Sequence, residues 1–252
     1  IENVVKYNFD LNLFNRFFKS MKMDLEIKEY KSLQDLYQYM DGSACVIGEF
    51  MIVVLDIPKR YLDLSRPYAR ELGNAFQFTN MIRDIKEDHK LNRKYIPKFY
   101  FNKFNIKLDE NGNSDYKTMN FRLFMEDLFY EATKMYNIAY YGIQYIPHEY
   151  KDVIRCAFIN YKNIHDKIRS NDYNIFDKKV SVSFREKLFL MFNNISLFKI
   201  FKIFYKYTIF TYINYFIKNI HIVLCIFYLC FVNILNISEP TYLMFHLLFT
   251  IP

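Results

Sequence analysis

Apolar residues recur every three to four positions through most of the first 170 residues, the period of a helix with one buried face. Between Asn12 and Met23 the stripe is Leu13, Phe14, Phe17, Phe18 and Met21. A longer helix is predicted over Leu33–Leu55, interrupted by small residues at Gly42-Ser43-Ala44 and Gly48 that let a neighbouring helix or a ligand approach the backbone. Pro58 and Pro67 bracket a short connection, and Pro67 suits the first turn of a helix predicted over Tyr68–Asp88. Lys94–Pro97 ends that helix, and Asn111-Gly112-Asn113-Ser114 reads as a loop. Phe121–Tyr145 and Tyr150–Ser170 read as two further long helices separated by Pro147. Asn111-Gly112 is also a hairpin signal, but its flanks, Ile106-Lys107-Leu108 and Tyr116-Lys117-Thr118, are too short to build a sheet. The pattern predicts an all-α fold.

The pattern changes near residue 190. Residues 191–252 carry four Lys, one Glu and no Gly, and are apolar and aromatic almost throughout. The chain therefore divides into a helical domain over 1–190 and an apolar, helical tail over 191–252. Within the tail, Ile220–Leu235 is an uncharged stretch of 16 residues, short of the roughly 20 needed to span a bilayer. Lys199, Lys202, Lys206 and Lys218 alternate with Phe, Ile and Tyr before it, as in interfacial helices. The tail reads in three ways: a membrane anchor with its basic residues on the cytoplasmic side, a buried terminal helix, or AT-rich sequence never selected for structure.

Composition narrows the function classes. With 252 residues, 52% of them hydrophobic and 24% charged, the chain can bury a core and is not a disordered segment. Cys45, Cys156, Cys225 and Cys230 are too scattered for a disulfide framework. His89, His148, His165, His221 and His246 show no metal-binding spacing. The net charge of +7 comes from dispersed Lys residues with no basic block, so no nucleic-acid partner is expected. The aromatic content of 20% fits codon drift in an AT-rich genome and is not read as function. The chain opens on Ile1, its first Met is Met21, and it reads as a piece of a longer frame whose leader is not in view.

One stretch carries candidate chemistry. Asp84 and Asp88 are four apart, which places their carboxylates one above the other on a helix. Asn80 and Gln77 extend that polar stripe backwards along a helix otherwise rich in Phe, Met and Ile. A buried polar stripe must meet a partner, and Mg²⁺, held by one or two carboxylates plus substrate phosphates, is such a partner. The same spacing also occurs on solvated helix faces whose acids pair with Lys and Arg.

The segments around the stripe resemble the squalene/phytoene synthase family. They are Tyr39-Met-Asp-Gly-Ser-Ala-Cys-Val-Ile-Gly48, Leu72 through Asp88, Arg93-Lys-Tyr-Ile-Pro97, Asn160-Tyr161, and Ile168 through Leu188, in this order. The last segment, with Asn171-Asp-Tyr-Asn and Val180-Ser-Val-Ser, is similar to phytoene synthases in particular. The resemblance covers about residues 1–190. It implies an isoprenoid-synthase bundle of α-helices around a central cavity, in which Mg²⁺ (or Mn²⁺) grips the diphosphates of two prenyl diphosphate substrates. By the same resemblance Asp84 and Asp88 are metal ligands. Gln77, Asn80, Arg83 and Arg93 bind substrate, and Tyr39, Tyr95 and Tyr161 stand near the reacting centre. Arg83 also reads as an ordinary partner for Glu87, and the tyrosines as packing.

Two departures from the family pattern follow. No DxxxD precedes the Gly-Ser-Ala segment, where the family carries its first Asp-rich motif; Asp10, Asp24 and Asp35 are isolated. The chain as it stands is expected to hold half of the metal site and not to turn over. Lys178-Lys179 stands where phytoene synthases usually have an arginine, which weakens any bidentate phosphate contact there. The resemblance implies phytoene formation from two geranylgeranyl diphosphates, with a squalene or dehydrosqualene synthase using farnesyl diphosphate as the nearer alternative. Non-catalytic relatives acting as assembly factors, and a gene in decay, are the others. The implied setting is membrane-associated, at a cytoplasmic face or in a plastid.

Overall fold

The computed structural model describes residues 10–182 and Glu186. They divide into a larger unit, Asp10–Ile146 with Tyr161–Val182, and the stretch Pro147–Asn160, which belongs to a second unit. The tail over 191–252, and with it the predicted boundary near 190, lies outside the described residues. Among these residues there is no strand, only an isolated parallel bridge between Glu29 and Lys94. No helix among them is long and apolar enough to cross a membrane.

The helices are α1 (Leu11–Glu26), α2 (Leu33–Met40), α3 (Val46–Val54), α4 (Leu62–Arg83), α5 (Ile85–Lys90), α6 (Lys98–Lys103), α7 (Met119–Tyr140) and α8 (His148–Ser170). Side-chain caps fix several starts. Asp10 accepts the Asn12 N–H at 2.9 Å, Thr118 accepts that of Phe121 at 3.2 Å, and Ser32 and Asp35 form a reciprocal capping box. The predicted helix over 33–55 is α2 and α3 joined by a π-helical turn, Asp41–Cys45, at the small residues. The hydroxyls of Ser20 and Ser43 donate to the Tyr39 carbonyl there, at 2.7 and 3.1 Å.

The small residues serve helix packing. A Cβ on Gly42 would lie 2.0 Å from the Arg16 carbonyl oxygen, one on Gly48 2.1 Å from that of Ala69, and one on Gly73 2.4 Å from that of Ala44. The backbones of α1, α3 and α4 thus touch where only hydrogen fits. α4 begins at Leu62, one and a half turns before the expected start, so that Pro67 lies inside it. On its other side α4 packs against α7, whose Phe121, Phe124, Met125, Leu128, Phe129, Ala132, Met135 and Tyr136 are all buried at helical spacing.

Two polar groups are built into this core. Glu49, 3% exposed, accepts hydrogen bonds from Arg16 (2.8 Å), Arg66 (2.6 Å) and Arg70 (2.5 Å), while Arg16 and Arg70 also bind Asp41. Burial alone would raise the Glu49 carboxyl; the hydrogen bonds from Arg66, Arg16 and Arg70 outweigh it and hold the group below its ordinary value. The second group is Thr79 Oγ1, 3.0 Å from both Tyr136 Oη and His165 Nε2, with the imidazole stacked on Phe129. His165 is a core residue, as its lack of a metal-binding spacing suggests.

Replacing Glu49 by Ala leaves three cations facing one another around a vacated acceptor. The expected cost is about 3–5 kcal/mol, read in thermal or urea melts. Burial, with Arg169 nearby, pushes the His165 imidazole down from 6.5 to about 4. The folded state thus binds fewer protons than the unfolded chain between those values. Its contribution to stability is full above pH 6.5 and is lost as pH falls to about 4. In His165→Phe that slope should be absent from melting temperature against pH.

Candidate active site

The sequence-predicted polar residues lie along the last turns of α4, through α5 and into the segment after it. The predicted helix over 68–88 is not continuous: Asp84 has φ −101° and ψ 18°, separating α4 from α5. The ladder nevertheless passes through it, since Asp84 N–H donates to Asn80 and Asp88 N–H to the Asp84 carbonyl, both at 2.8 Å. Asn80, Asp84 and Asp88 therefore stay in succession along one chain path, with Gln77 a turn before them. α5 then ends in a Schellman motif. Asn92 takes the left-handed conformation (φ 57°), its N–H donates to the His89 carbonyl at 2.9 Å, and the Arg93 N–H donates to the Asp88 carbonyl at 2.8 Å. The position of Arg93 relative to Asp88 is thereby set by the backbone.

The two acids have opposite surroundings. The Arg83 guanidinium, 6% exposed, grips Asp84 with two bonds of 2.7 and 2.6 Å, and Lys179 Nζ stands 3.1 Å from Asp84 Oδ1. Burial raises the Asp84 carboxyl, but Arg83 and Lys179 together hold it below its ordinary value. Lys179 reaches it because α8 ends in a turn with Asp172 and Tyr173 at positive φ, and because Lys86 Nζ donates to the Phe176 carbonyl at 2.6 Å. Among the described residues Asp88 has no cation within ion-pair distance. Burial, and then the neighbouring Asp84 charge, push its carboxyl up from 3.8 to about 8. Near it the Asn80 amide oxygen and Glu87 Oε2 are buried without a hydrogen-bond partner among the described residues.

After Arg93 the chain runs extended beside residues 28–30: Lys94 N–H donates to the Lys28 carbonyl at 3.0 Å and Lys98 N–H to that of Tyr30 at 2.8 Å. This alignment sets Tyr95 against Tyr39, with ring centroids 5.3 Å apart and the rings nearly parallel. Both hydroxyls donate to Asp24, Tyr95 at 2.7 Å and Tyr39 at 3.2 Å. Arg93, without an ion pair among the described residues, lies in the electrostatic reach of Tyr95, Asp24, Tyr39 and Asp88. Tyr161 stacks on Phe76 at 4.1 Å and interacts electrostatically with Arg83. Hydrogen bonds and electrostatic interactions thus link Tyr161, Arg83, Asp84, Asp88, Arg93 and the two tyrosines into one polar track.

The structure places Arg83 against Asp84 and largely out of solvent. Gln77 is half-buried. Asp24 is the residue that sequence reasoning passed over as isolated. Its partners lie 15 and 71 positions away, so no local spacing marks it.

The donor set suits a hard cation in type: an amide oxygen on Asn80 with no partner among the described residues, and a carboxyl on Asp88 that Arg93 and Lys179 compensate only in part. Asp84 offers oxygens already shared with two cations. No group of three or more His, Cys, Asp or Glu among the described residues is arranged to hold a metal by itself.

With this geometry established, known proteins give a consistent picture. The sequence profile described as squalene/phytoene synthase matches residues 2–186. Phytoene synthase 1, chloroplastic, of Solanum lycopersicum is 29% identical over 190 residues, spanning 74% of this chain and 46% of that one. Phytoene synthase, chloroplastic, of an Oncidium hybrid cultivar is 31% identical over 196 residues, with the same coverage of 74% and 46%. The 15-cis-phytoene synthase of Synechococcus elongatus is 28% identical over 199 residues, spanning 75% and 64% of the two chains. The chain thus spans about half the length of the plant relatives. Among solved structures, a dehydrosqualene synthase in complex with ligand superposes with a TM-score of 0.64 at 22% identity, covering 78% of this chain and 69% of that one. Squalene synthase HpnC from Alicyclobacillus acidocaldarius gives 0.61 at 20% identity, covering 69% and 64%. Both share the all-α isoprenoid-synthase fold.

The contrast between the acids is testable by stability alone. Asp84→Asn leaves Arg83 buried without a full countercharge and should cost about 3 kcal/mol or more. Asp88→Asn should stabilise. The raised carboxyl of Asp88 makes the native protein lose stability as pH climbs from 3.8 to about 8. The gain from the Asn variant should therefore grow over that window, to about 1–3 kcal/mol, in melts at fixed ionic strength.

Proposed function

Because the chain belongs to the squalene/phytoene synthase family, we propose that it belongs to a head-to-head prenyl transferase. The reaction assigned to the complete protein joins two geranylgeranyl diphosphates to phytoene by way of a cyclopropylcarbinyl diphosphate. The observation that carries this reading is the polar track itself, in which the under-compensated Asp88 and the uncommitted Arg93 are held side by side by one helix cap.

Each residue then has a chemical task. Arg93 supplies a fixed positive charge for diphosphate oxygens. Lys179 is near enough to exchange Asp84 for a phosphate oxygen, as a point charge and not as a bidentate fork. Asn80, Asp84 and Asp88 would hold Mg²⁺, with Mn²⁺ as an alternative. A divalent ion there supplies neutralisation of the departing diphosphate. Arg83 keeps Asp84 ionised, and Gln77 lines the same helix path. Tyr161 on Phe76, and Tyr39 against Tyr95, offer aromatic faces to the allylic cation that remains when the diphosphate leaves. Burial of these rings keeps water from that cation. A plastid setting is inferred from the relatives whose names carry the word chloroplastic.

The test uses the natural-length protein, extended upstream of Ile1, with labelled geranylgeranyl and farnesyl diphosphates and Mg²⁺. Phytoene as the product is the expected outcome. Squalene or dehydrosqualene would move the assignment to the shorter prenyl chain. No hydrocarbon from a folded protein would move it to a non-catalytic relative.

A further inference from the structure

Asp24 lies in the last turn-and-a-half of α1, outside the motif segments quoted above though within the residues the family profile matches, and it is the common acceptor of two site tyrosines. Each of its oxygens takes one hydroxyl: Oδ1 that of Tyr95 at 2.7 Å and Oδ2 that of Tyr39 at 3.2 Å. The rings of Tyr39 and Tyr95 are 3% and 9% exposed, so this pairing is closed to water. Tyr30 completes the stack, its ring 5.7 Å from Tyr39 and 6.3 Å from Tyr95, with its own hydroxyl buried and unpaired among the described residues. Burial, reinforced by the Asp24 charge, raises the phenols of Tyr30 and Tyr39; in Tyr95 burial dominates and the charges of Tyr39 and Asp24 add to it. All three stay protonated at ordinary pH.

This arrangement has a chemical direction. A phenol whose O–H is spent on a carboxylate has no proton left to donate elsewhere. What it presents is an electron-rich ring and the oxygen lone pairs, both suited to positive charge. A purely structural tie between α1, α2 and the 93–97 segment would need only one such bond. Here both oxygens are used on the two tyrosines, and Arg93 interacts electrostatically with both this cluster and Asp88.

We propose that Asp24 is a positioning residue for the transferase reaction: it turns the hydroxyls of Tyr39 and Tyr95 towards itself, so that both side chains meet the substrate as groups that stabilise cations and not as hydrogen-bond donors. The proposal rests on the prenyl-transferase reading for its chemistry, while its geometry stands without it. Asp24→Asn is the decisive change. The amide keeps the size but offers one acceptor oxygen and one donor N–H₂, so one of the two phenols must reverse its role.

Two measurements test it. In the chain labelled with ring-4-¹³C tyrosine, the resonances of Tyr39 and Tyr95 are assigned through Tyr39→Phe and Tyr95→Phe. Both should move in Asp24→Asn while most other tyrosine signals stay. In the natural-length enzyme, Asp24→Asn should lower kcat by at least about tenfold with KM changed by less than roughly twofold. The product should also shift from hydrocarbon towards the alcohols formed when water captures the cation. Unmoved tyrosine resonances overturn the geometry. Moved resonances with unchanged kcat and product in an active enzyme overturn the positioning role. A parallel loss of kcat, KM and melting temperature also overturns it, in favour of a structural tie. If Asp24→Asn does not fold, each Tyr→Phe variant serves instead, since loss of one hydroxyl should shift the resonance of the tyrosine left sharing the carboxylate. If the unaltered enzyme makes no hydrocarbon, the functional reading fails, and the resonances alone decide whether Asp24 orients the phenols.

Discussion

The buried carboxylate of Glu49 is the point on which the larger unit is pinned. Taking a carboxylate out of water is costly, and it is tolerated only where the geometry of its partners is good. Three arginines provide that geometry, one from α1 and two from the first half of α4. The constraint reaches beyond the ion cluster. α1 and α4 cannot shift against α3 without breaking a bond to Glu49, and the glycine contacts at 42, 48 and 73 leave no slack for sliding. α1 carries Asp24 at its far end, and α4 carries Gln77 and Asn80 in its second half. Fixing the first halves of these helices therefore fixes where the site residues stand.

Within that frame the site is built from unequal charges. Asp84 is satisfied by its own chain, while Asp88 four residues later is not, although both belong to one Asp pair. The difference follows from neighbours, since Arg83 and Lys179 both face Asp84, and Arg93 acts on Asp88 only at longer range. Under the prenyl-transferase reading, a polar track with one saturated and one under-compensated acid, near a guanidinium without an ion pair among the described residues, suits a ligand that carries both signs. A diphosphate with a bound divalent ion has that character, whereas a plain surface ion-pair network would have neutralised Asp88 as well.

Much of this was legible in the sequence, and the reasons differ from place to place. The stripe on α7 is read directly because each of its buried residues recurs at helical spacing. The stripe Gln77, Asn80, Asp84, Asp88 is read because one helix path carries it. The break at Asp84 was not legible: nothing in Met-Ile-Arg-Asp-Ile-Lys distinguishes a continuous helix from one that turns at a buried Arg–Asp pair. The start of α4 was misjudged for a related reason, since Pro67 is compatible with a first turn and also with a later one. Gly42 and Gly48 marked close approach correctly but not by what. Asp24 and Glu49 were hidden because their partners come from other helices, and a carboxylate's long-range partners leave no periodic trace.

The same argument explains why Asp24 and Glu49, both acids of the first fifty residues, serve different ends. Glu49 meets guanidinium groups, whose fixed charge makes the contact an ion cluster and therefore an element of stability. Asp24 meets phenols, which are neutral, and its negative charge is left to act on whatever lies beyond them. In this structure that is Arg93; under the prenyl-transferase reading it is also the electron density of the two rings. Placed behind neutral aromatic groups, a carboxylate offers two acceptor oxygens and no donor, whereas an amide would turn an N–H₂ towards one of the phenols. What only the carboxylate adds is a negative potential at the tyrosine faces, and that is of use where positive charge develops.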